Sequence, residues 1–169
     1  MPNYKLDAMF ELRKYMWNKM QATGIFDSDD YYADNLNETL IPILPVQQAP
    51  EMNQFLSGKK HIIYDKIGLS YQNNWLICCE QILFTIYATD ISDIVEIRNF
   101  MTDEFRRMDD SARDMNYWSG LSDKFKIHSI FVADISPTKP SEEIQGFLAT
   151  DVILELTYSR ITDKGGRFA

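Results

Sequence analysis

Two carboxylates on neighbouring predicted strands come closest to the spacing that catalytic chemistry requires. Asp65 ends one predicted strand and Glu80 lies inside the next, so their side chains could meet across the pair. Metal-dependent nucleases use such a pair, with a lysine two positions after the glutamate, to hold Mg²⁺ and polarise a water molecule. In this chain that position is Ile82. A nuclease is therefore an alternative hypothesis with an incomplete motif.

The other residues that could do chemistry lack the patterns that would support it. The acidic segment 25–38 has the carboxylates of a calcium loop but no glycine at its turn. His61 and His128 lie on different predicted strands, without a second histidine or a cysteine at metal-ligand spacing. Glycine-rich phosphate loops and a nucleophile elbow are missing from the sequence. The sequence thus predicts a protein that is not an enzyme and has no catalytic residues, metal or cofactor.

The two cysteines, Cys78 and Cys79, are adjacent and are predicted to point to opposite faces of a strand. A bridge between them would be strained. Free, buried thiols in a reducing cytosol are the favoured interpretation.

Charge and composition limit the classes of function. The formal net charge is −8 and 45% of the residues are hydrophobic, which is typical of a globular protein. Binding to nucleic acid through phosphates needs a basic surface, whereas an acidic surface suits a protein past which DNA slides. The start of the chain lacks a signal-peptide layout, and the longest apolar run is too short to span a bilayer. We expect a soluble, intracellular protein that does not contact membranes.

A long strand followed by an amphipathic helix dominates the central sequence. The segment from Trp75 to Ala88 is rich in β-branched and aromatic residues, without glycine or proline, which favours a strand. Both faces of this strand are mostly apolar, so each must be covered by the chain itself or by another subunit. Apolar residues at spacings of three and four then predict one helix from Asp90 to Met108. A buried Glu80 would need a partner, for which Arg98, a neighbouring subunit or a wet patch are the candidates.

The flanking elements complete the predicted fold, which is α+β: a mainly antiparallel sheet of about four to five strands, packed with an N-terminal helix and a central amphipathic helix. Residues 1–160 are predicted to form a single domain. The other elements are a helix from Tyr4 to Gln21, a proline-rich extended segment from Leu40 to Met52, a strand from His61 to Asp65, a polar turn from Gly68 to Asn74, and strands from Phe125 to Asp134 and from Phe147 to Arg160.

The last predicted strand has the clearest period-two pattern in the chain. Its apolar residues share one face, while Asp151 and Glu155 lie on the opposite face, which is predicted to be acidic and wet. The tail that follows, residues 161–169, is short, basic and rich in glycine. A frayed terminus is one interpretation of this tail, and a strap onto a neighbouring subunit is the other.

The order of these elements resembles the tail terminator, or tail completion, proteins of long-tailed bacteriophages and related ring proteins of the head–tail junction. The resemblance rests on element order and pattern along most of the chain. In the first half of the chain, the elements that carry it are the helix from Tyr4 to Gln21 and the segment from Pro45 that ends in His-Ile-Ile-Tyr-Asp65. They are followed by the strand from Trp75 to Ala88, the helix from Asp90 to Met108, and the strand from Phe147 to Arg160, which Gly146 precedes.

This resemblance implies a structural virion protein, assembled in the host cytoplasm, that forms a homo-oligomeric ring, hexameric in the family. The ring would cap the tail tube, contact the tube or sheath protein, and dock to the head connector. A neck or head–tail joining protein of the same junction is the alternative. In such a ring, the residues expected at the subunit interface are Arg160, Lys164, Arg167 and Phe168. Asp151 and Glu155 are expected to face a lumen through which DNA passes without specific binding.

Overall fold

Four long strands, with helices packed on one of their faces, form the main body of the chain. The computed structural model describes residues 7–72, 77–106, 108–118 and 124–160. In chain order the elements are α1 (Ala8–Ala22), a 3-10 helix (Ser28–Tyr31), β1 (Tyr32–Ala33), β2 (Glu38–Thr39), β3 (Ile43–Pro45), α2 (Ala49–Met52), β4 (His61–Gln72), β5 (Ile77–Ala88), α3 (Ile91–Glu104), α4 (Met108–Tyr117), β6 (Phe125–Ile135), β7 (Lys139–Pro140) and β8 (Leu148–Arg160). The predicted α+β class is confirmed.

The main sheet has six strands, in the order β3-β4-β5-β8-β6, with the short β7 paired to β8. All pairings are antiparallel except that of β3 with β4, which is parallel. The prediction of four to five strands missed the two-residue β7. The proline-rich segment supplies an edge strand, β3. An edge position is favoured there because prolines lack the backbone N–H donors that a central strand needs.

The strand β4 is longer than predicted. It runs to Gln72, so a polar turn beginning at Gly68 is wrong, although the predicted pairing with β5 is confirmed. A bulge between Lys66 and Gly68 shifts the register there. A Cβ on Gly68 would lie 3.2 Å from Oε1 of Gln81 on β5. The glycine therefore marks a close cross-strand approach rather than a turn. Asn73 and Asn74 lie outside the described residues.

The predicted helix from Asp90 to Met108 is shorter than expected: α3 ends at Glu104, and a second helix, α4, begins at Met108. The carbonyl oxygen of Phe105, the cap residue of α3, accepts a 3.0 Å hydrogen bond from the N–H of Val132 on β6. That carbonyl is therefore not available for another helical turn, and Phe105 is fully buried. Arg106 lies beyond the end of α3.

Helix α4, which the sequence analysis did not predict, covers the outer edge of the sheet. The side chain of Asn116 donates a 2.7 Å hydrogen bond to the carbonyl of Ile127 and accepts a 2.8 Å bond from the N–H of the same residue. Together with the bond from Val132, these contacts occupy part of the free backbone of β6. Such coverage protects an edge strand from pairing with another chain.

Hydrogen bonds between residues close in sequence define both ends of helix α1. Asp7 is its N-cap and accepts a 2.9 Å hydrogen bond from the N–H of Met9; the predicted start at Tyr4 lies outside the described residues. At the other end, Gly24 has a φ of 78° and donates to Gln21, while Ile25 donates to Met20, which is a Schellman motif. Phe10 on this helix is 49% exposed.

The core lies between the helices and one face of the sheet. The residues of β5 on that face, Ile82, Phe84 and Ile86, are fully buried. Helix α3 packs on β5 and β8 and contributes the fully buried Ile94, Ile97 and Met101. The opposite face of the sheet is only partly covered.

Candidate interaction surface

The partly covered side of the sheet is the surface of most functional interest, and we call it the open face. Residues directly opposite one another on paired strands share a face, so the registers of β4, β5, β6 and β8 define its members. Most of them are half-buried. They include Ile63, Asp65, Ile77, Cys79, Gln81, Leu83, Thr85, Tyr87, Ser129, Phe131, Ala149, Asp151, Ile153, Glu155 and Thr157.

At one end of the open face, the loop that carries β7 stands over the sheet and forms a groove of about 320 Å³. The groove has an apolar floor and an acidic rim, and we call it the acidic groove. Its lining residues are Val46, Ile63, Tyr64, Asp65, Leu83, Thr85, Tyr87, Lys139, Pro140, Ser141, Glu142, Glu143, Ala149 and Asp151.

The charges of the acidic groove are unbalanced. Four carboxylates line it, from Asp65, Glu142, Glu143 and Asp151, against the single ammonium of Lys139, which gives a formal charge of −3. Asp65, Glu142 and Glu143 are exposed, and Asp151 is half-buried. The groove therefore favours a cationic ligand.

Hydrogen bonds hold the walls of the acidic groove in place. The hydroxyl of Thr85 donates a 2.8 Å bond to Oδ1 of Asp151, whose N–H donates a 2.9 Å bond to Oγ of Ser136. The hydroxyl of Tyr87 donates a 3.0 Å bond to Oε2 of Glu143, which ties the loop to β5. Burial and this carboxylate raise the pKa of Tyr87 above its ordinary range, so the hydroxyl stays a donor.

The two residues expected to face a lumen lie on the open face together. Asp151 is inside the acidic groove, while Glu155 is four residues further along β8 and accepts a 3.4 Å hydrogen bond from the thiol of Cys79. Both carboxylates are half-buried, so this face is less wet than predicted. The apolar neighbours of these carboxylates on the sheet reduce their contact with water.

The register separates the two carboxylates of the nuclease hypothesis. Asp65 lies opposite Leu83 on β5, whereas Glu80 lies opposite Leu69. Because Glu80 and Leu83 are three residues apart on one strand, they point to opposite faces. Asp65 therefore lies on the open face and Glu80 on the helix-covered face, and the two do not form one metal site.

Glu80 is 4% exposed and has partners other than Arg98, which was one of three candidates that the sequence left open. The hydroxyl of Tyr158 donates a 2.9 Å hydrogen bond to its Oε1, and Nζ of Lys66 lies 3.6 Å from the same oxygen. Lys66 also forms a 2.8 Å ion pair with Asp7. Burial lowers the pKa of Lys66, but the hydrogen bonds and charges of Asp7 and Glu80 outweigh it, so the net pKa is raised.

Neither histidine lies in a metal-binding arrangement. His61 forms a 2.8 Å hydrogen bond through Nδ1 with the carbonyl of Lys59 and stacks on Tyr87 with 5.2 Å between ring centroids. His128 is bonded to Oγ of Ser159 at 2.9 Å. Within the described ranges, no group of three or more histidine, cysteine or carboxylate side chains could hold a metal ion.

The acidic loop and the thiols have structural roles. Asp27 caps the 3-10 helix by accepting a 3.0 Å hydrogen bond from the N–H of Asp29. Cys78 is buried and Cys79 half-buried, and both are free. Burial raises the pKa of each thiol, which lowers the reactivity of both.

Of the four residues expected at a subunit interface, the structure places only Arg160. It is exposed at the end of β8, opposite Phe125. Lys164, Arg167 and Phe168 lie outside the described residues. The acidic groove itself was not predicted, and the sequence analysis assigned no role to the Ser-Glu-Glu stretch at 141–143. Its charge density was the available signal, but its proximity to Asp65 depends on sheet register.

None of the helices in the described part of the chain combines the length and hydropathy needed to cross a membrane. Comparison of the sequence with models of protein families and with curated proteins finds no match for this chain.

Proposed function

We propose that this protein is a structural subunit of a bacteriophage tail, which assembles into a ring that ends the tail tube and docks to the head connector. The order of its helices and strands resembles that of tail terminator proteins, and this resemblance motivates the choice of partners. The tube or sheath protein lies on one side of the ring in this proposal, and the connector or neck protein on the other.

The open face is the observation that carries the proposal. It presents half-buried apolar side chains, among them Leu83, Phe131 and Ile153, on strands that the helices cover on one side only. A sheet face of this kind gains stability when it is covered further, because removing apolar surface from water is favourable. Subunit association in a ring provides such a cover.

The distribution of charge supports a head-to-tail arrangement. The whole chain has a formal charge of −8, while the side chains of residues 160–169 carry a charge of +2, from the cations Arg160, Lys164 and Arg167 and the single carboxylate of Asp163. A basic segment and an acidic surface on the same chain are different patches that attract each other. Contacts between unlike patches generate closed rings when the rotation between subunits closes.

The negative charge of the open face suits a channel for DNA. Asp151 and Glu155 lie along β8 on this face, and we place the part of the face that a neighbouring subunit leaves uncovered toward the lumen of the ring. Carboxylates there repel DNA phosphates, so the genome passes without being held.

The assembly state of the purified chain tests the proposal. Light scattering and negative-stain images of the full chain should show a ring of uniform mass. Removal of residues 163–169 should lower the oligomer fraction, because the strap is lost. A full chain that stays a monomer at high concentration, alone and with tail components, would overturn the proposal.

Two binding measurements separate the terminator from the neck protein. A terminator should stop the growth of purified tail tubes and be found at one tube end. A neck protein should leave tube length unchanged and bind the connector ring instead. A terminator and a neck protein could form rings of the same mass. The two are still distinguished, because the measured quantities are tube length and the identity of the bound partner.

A further inference from the structure

We propose that the acidic groove is the receptor for the basic segment 161–169 of a neighbouring copy. This inference rests on the proposed ring, because it requires a second copy of the chain. The groove is lined by Asp65, Glu142, Glu143 and Asp151, and the segment supplies Lys164, Arg167 and Phe168. The bound segment connects each subunit to the next.

The length of the segment limits which of its cations can reach the groove of its own copy. Arg160, the last residue of β8, is nine residues from Asp151 along an extended strand, which corresponds to about 30 Å. Tyr87, which binds Glu143, lies opposite Ala149, a further two residues away. A fully extended chain brings Lys164 at most about 14 Å from Arg160, and Arg167 at most about 25 Å. Lys164 therefore falls short of Asp151 in its own copy, so the two cations can occupy one groove together only in another copy.

The chemistry of the groove matches that of the segment. Its formal charge of −3 attracts the ammonium of Lys164 and the guanidinium of Arg167, and the exposed rim carboxylates of Asp65 and Glu142 are accessible to both. Val46 at the rim is 41% exposed and offers apolar surface to the ring of Phe168. The bound segment leaves Glu155, four residues further along β8, facing the lumen.

Disulfide trapping between two differently tagged copies tests this contact. One copy carries Arg167→Cys and the other Glu142→Cys, both with Cys78 and Cys79 retained, and they are co-expressed and then oxidised. We expect a disulfide-linked heterodimer on a non-reducing gel. The control pairs Arg167→Cys with Glu96→Cys, an exposed position on α3 on the other side of the sheet. At least tenfold less heterodimer is expected for the control.

A charge exchange supplies an independent readout. Lys164→Glu with Arg167→Glu should weaken subunit association by about tenfold, from two lost ion pairs and two new repulsions. When Asp65→Lys and Glu142→Lys are added to this double variant, association should be restored. The groove then carries the positive charges and the segment the negative ones, so the two attract each other again.

The outcomes distinguish this inference from the proposed function. An intact ring that gives no more heterodimer than the control, and no restoration by the charge exchange, overturns docking in the groove and leaves the ring standing. A chain that is monomeric by light scattering overturns both. Heterodimer together with restored association supports the inference.

Discussion

The hydroxyl of Tyr158 on β8 donates a 2.9 Å hydrogen bond to Oε1 of Glu80 on β5, in the buried layer beneath the helices. The two residues are 5% and 4% exposed. Oε2 of Glu80 has no hydrogen-bond partner among the residues that the structure describes. A buried carboxylate depends strongly on the few donors it has, and without this cross-strand bond Glu80 would keep only the ammonium of Lys66, which lies 3.6 Å from the same oxygen.

Tyr158→Phe should lower the free energy of unfolding by about 2 kcal/mol, the typical contribution of a hydrogen bond to a charged group. The aromatic ring, which lies 5.7 Å from that of Phe125, is retained. Urea unfolding at neutral pH measures the change. Tyr117→Phe is the matched control because that side chain is 84% exposed, and its effect should stay within about 0.5 kcal/mol. Equal effects of the two variants would mean that Glu80 is not dependent on Tyr158.

Stability should fall as the pH rises above about 10, where tyrosine in an unfolded chain ionises. Burial and then the charge of Glu80 raise the pKa of Tyr158 in the folded chain, and burial raises that of Tyr15 and Tyr31 as well. A raised pKa contributes stability that is complete below the unfolded value and is lost as the pH rises toward the folded one. Urea unfolding from pH 8 to pH 11 should show the decline.

The same alkaline profile in Tyr158→Phe should be shallower, because one of the titrating groups is gone. The ammonium of Lys66 also has a raised pKa, and its contribution is lost in the same direction. A profile with an identical slope in the variant would contradict the assignment to Tyr158.

Stability should also fall as the pH drops below about 6.5, the ordinary pKa of histidine. Burial lowers the pKa of His61, so the ring is neutral in the folded chain, while the unfolded chain takes up a proton. The contribution is present above the unfolded value and is lost as the pH falls. His61→Phe keeps an aromatic ring beside Tyr87 and Phe147 and should flatten the profile between pH 7.5 and 5.5. His128→Phe, at a less buried site, should flatten it less.

Arg13→Met should destabilise the parallel edge of the sheet. Nε of Arg13 on α1 donates a 2.6 Å hydrogen bond to the carbonyl of Ile43 on β3, and its loss leaves that carbonyl without this donor. The expected cost is about 1–3 kcal/mol. Hydrogen exchange should accelerate at the N–H of Val46, which bonds to the carbonyl of Tyr64. Lys14→Met, at an exposed position on the same helix, should leave that amide protected.

Gly24→Ala should cost about 1 kcal/mol, because Gly24 has a φ of 78° that an L-residue with a Cβ adopts only under strain. A Cβ there would meet no atom within 4 Å, so the cost belongs to the backbone alone. Gly24→Asn should cost less, since asparagine tolerates the left-handed region. Equal losses for the two variants, measured by urea unfolding, would contradict a purely conformational cause.

Local signals in the sequence determined the elements and several of their ends. Asp7 and Asp90 bind the first free N–H groups of α1 and α3 through their own side chains, so their role depends on residues only two positions away. The alternation along β8 likewise follows from the chain itself, and the structure buries Val152, Leu154 and Leu156 on one face. Signals of this range need no knowledge of the rest of the fold.

Contacts between distant segments decided the rest. Helix α3 ends at Glu104, where Phe105 leaves the helical conformation with a φ of −113° and a ψ of 28°. The carbonyl of Phe105 there binds Val132 on β6, a strand that lies more than twenty residues further on. Strand β4 continues past Gly68 because β5 supplies its partners. Register, which depends on a bulge and on pairing across the sheet, placed Asp65 and Glu80 on opposite faces and brought Asp65 beside Asp151 in the acidic groove. Sequence could place these carboxylates on strands, but only the assembled sheet determined which of them meet.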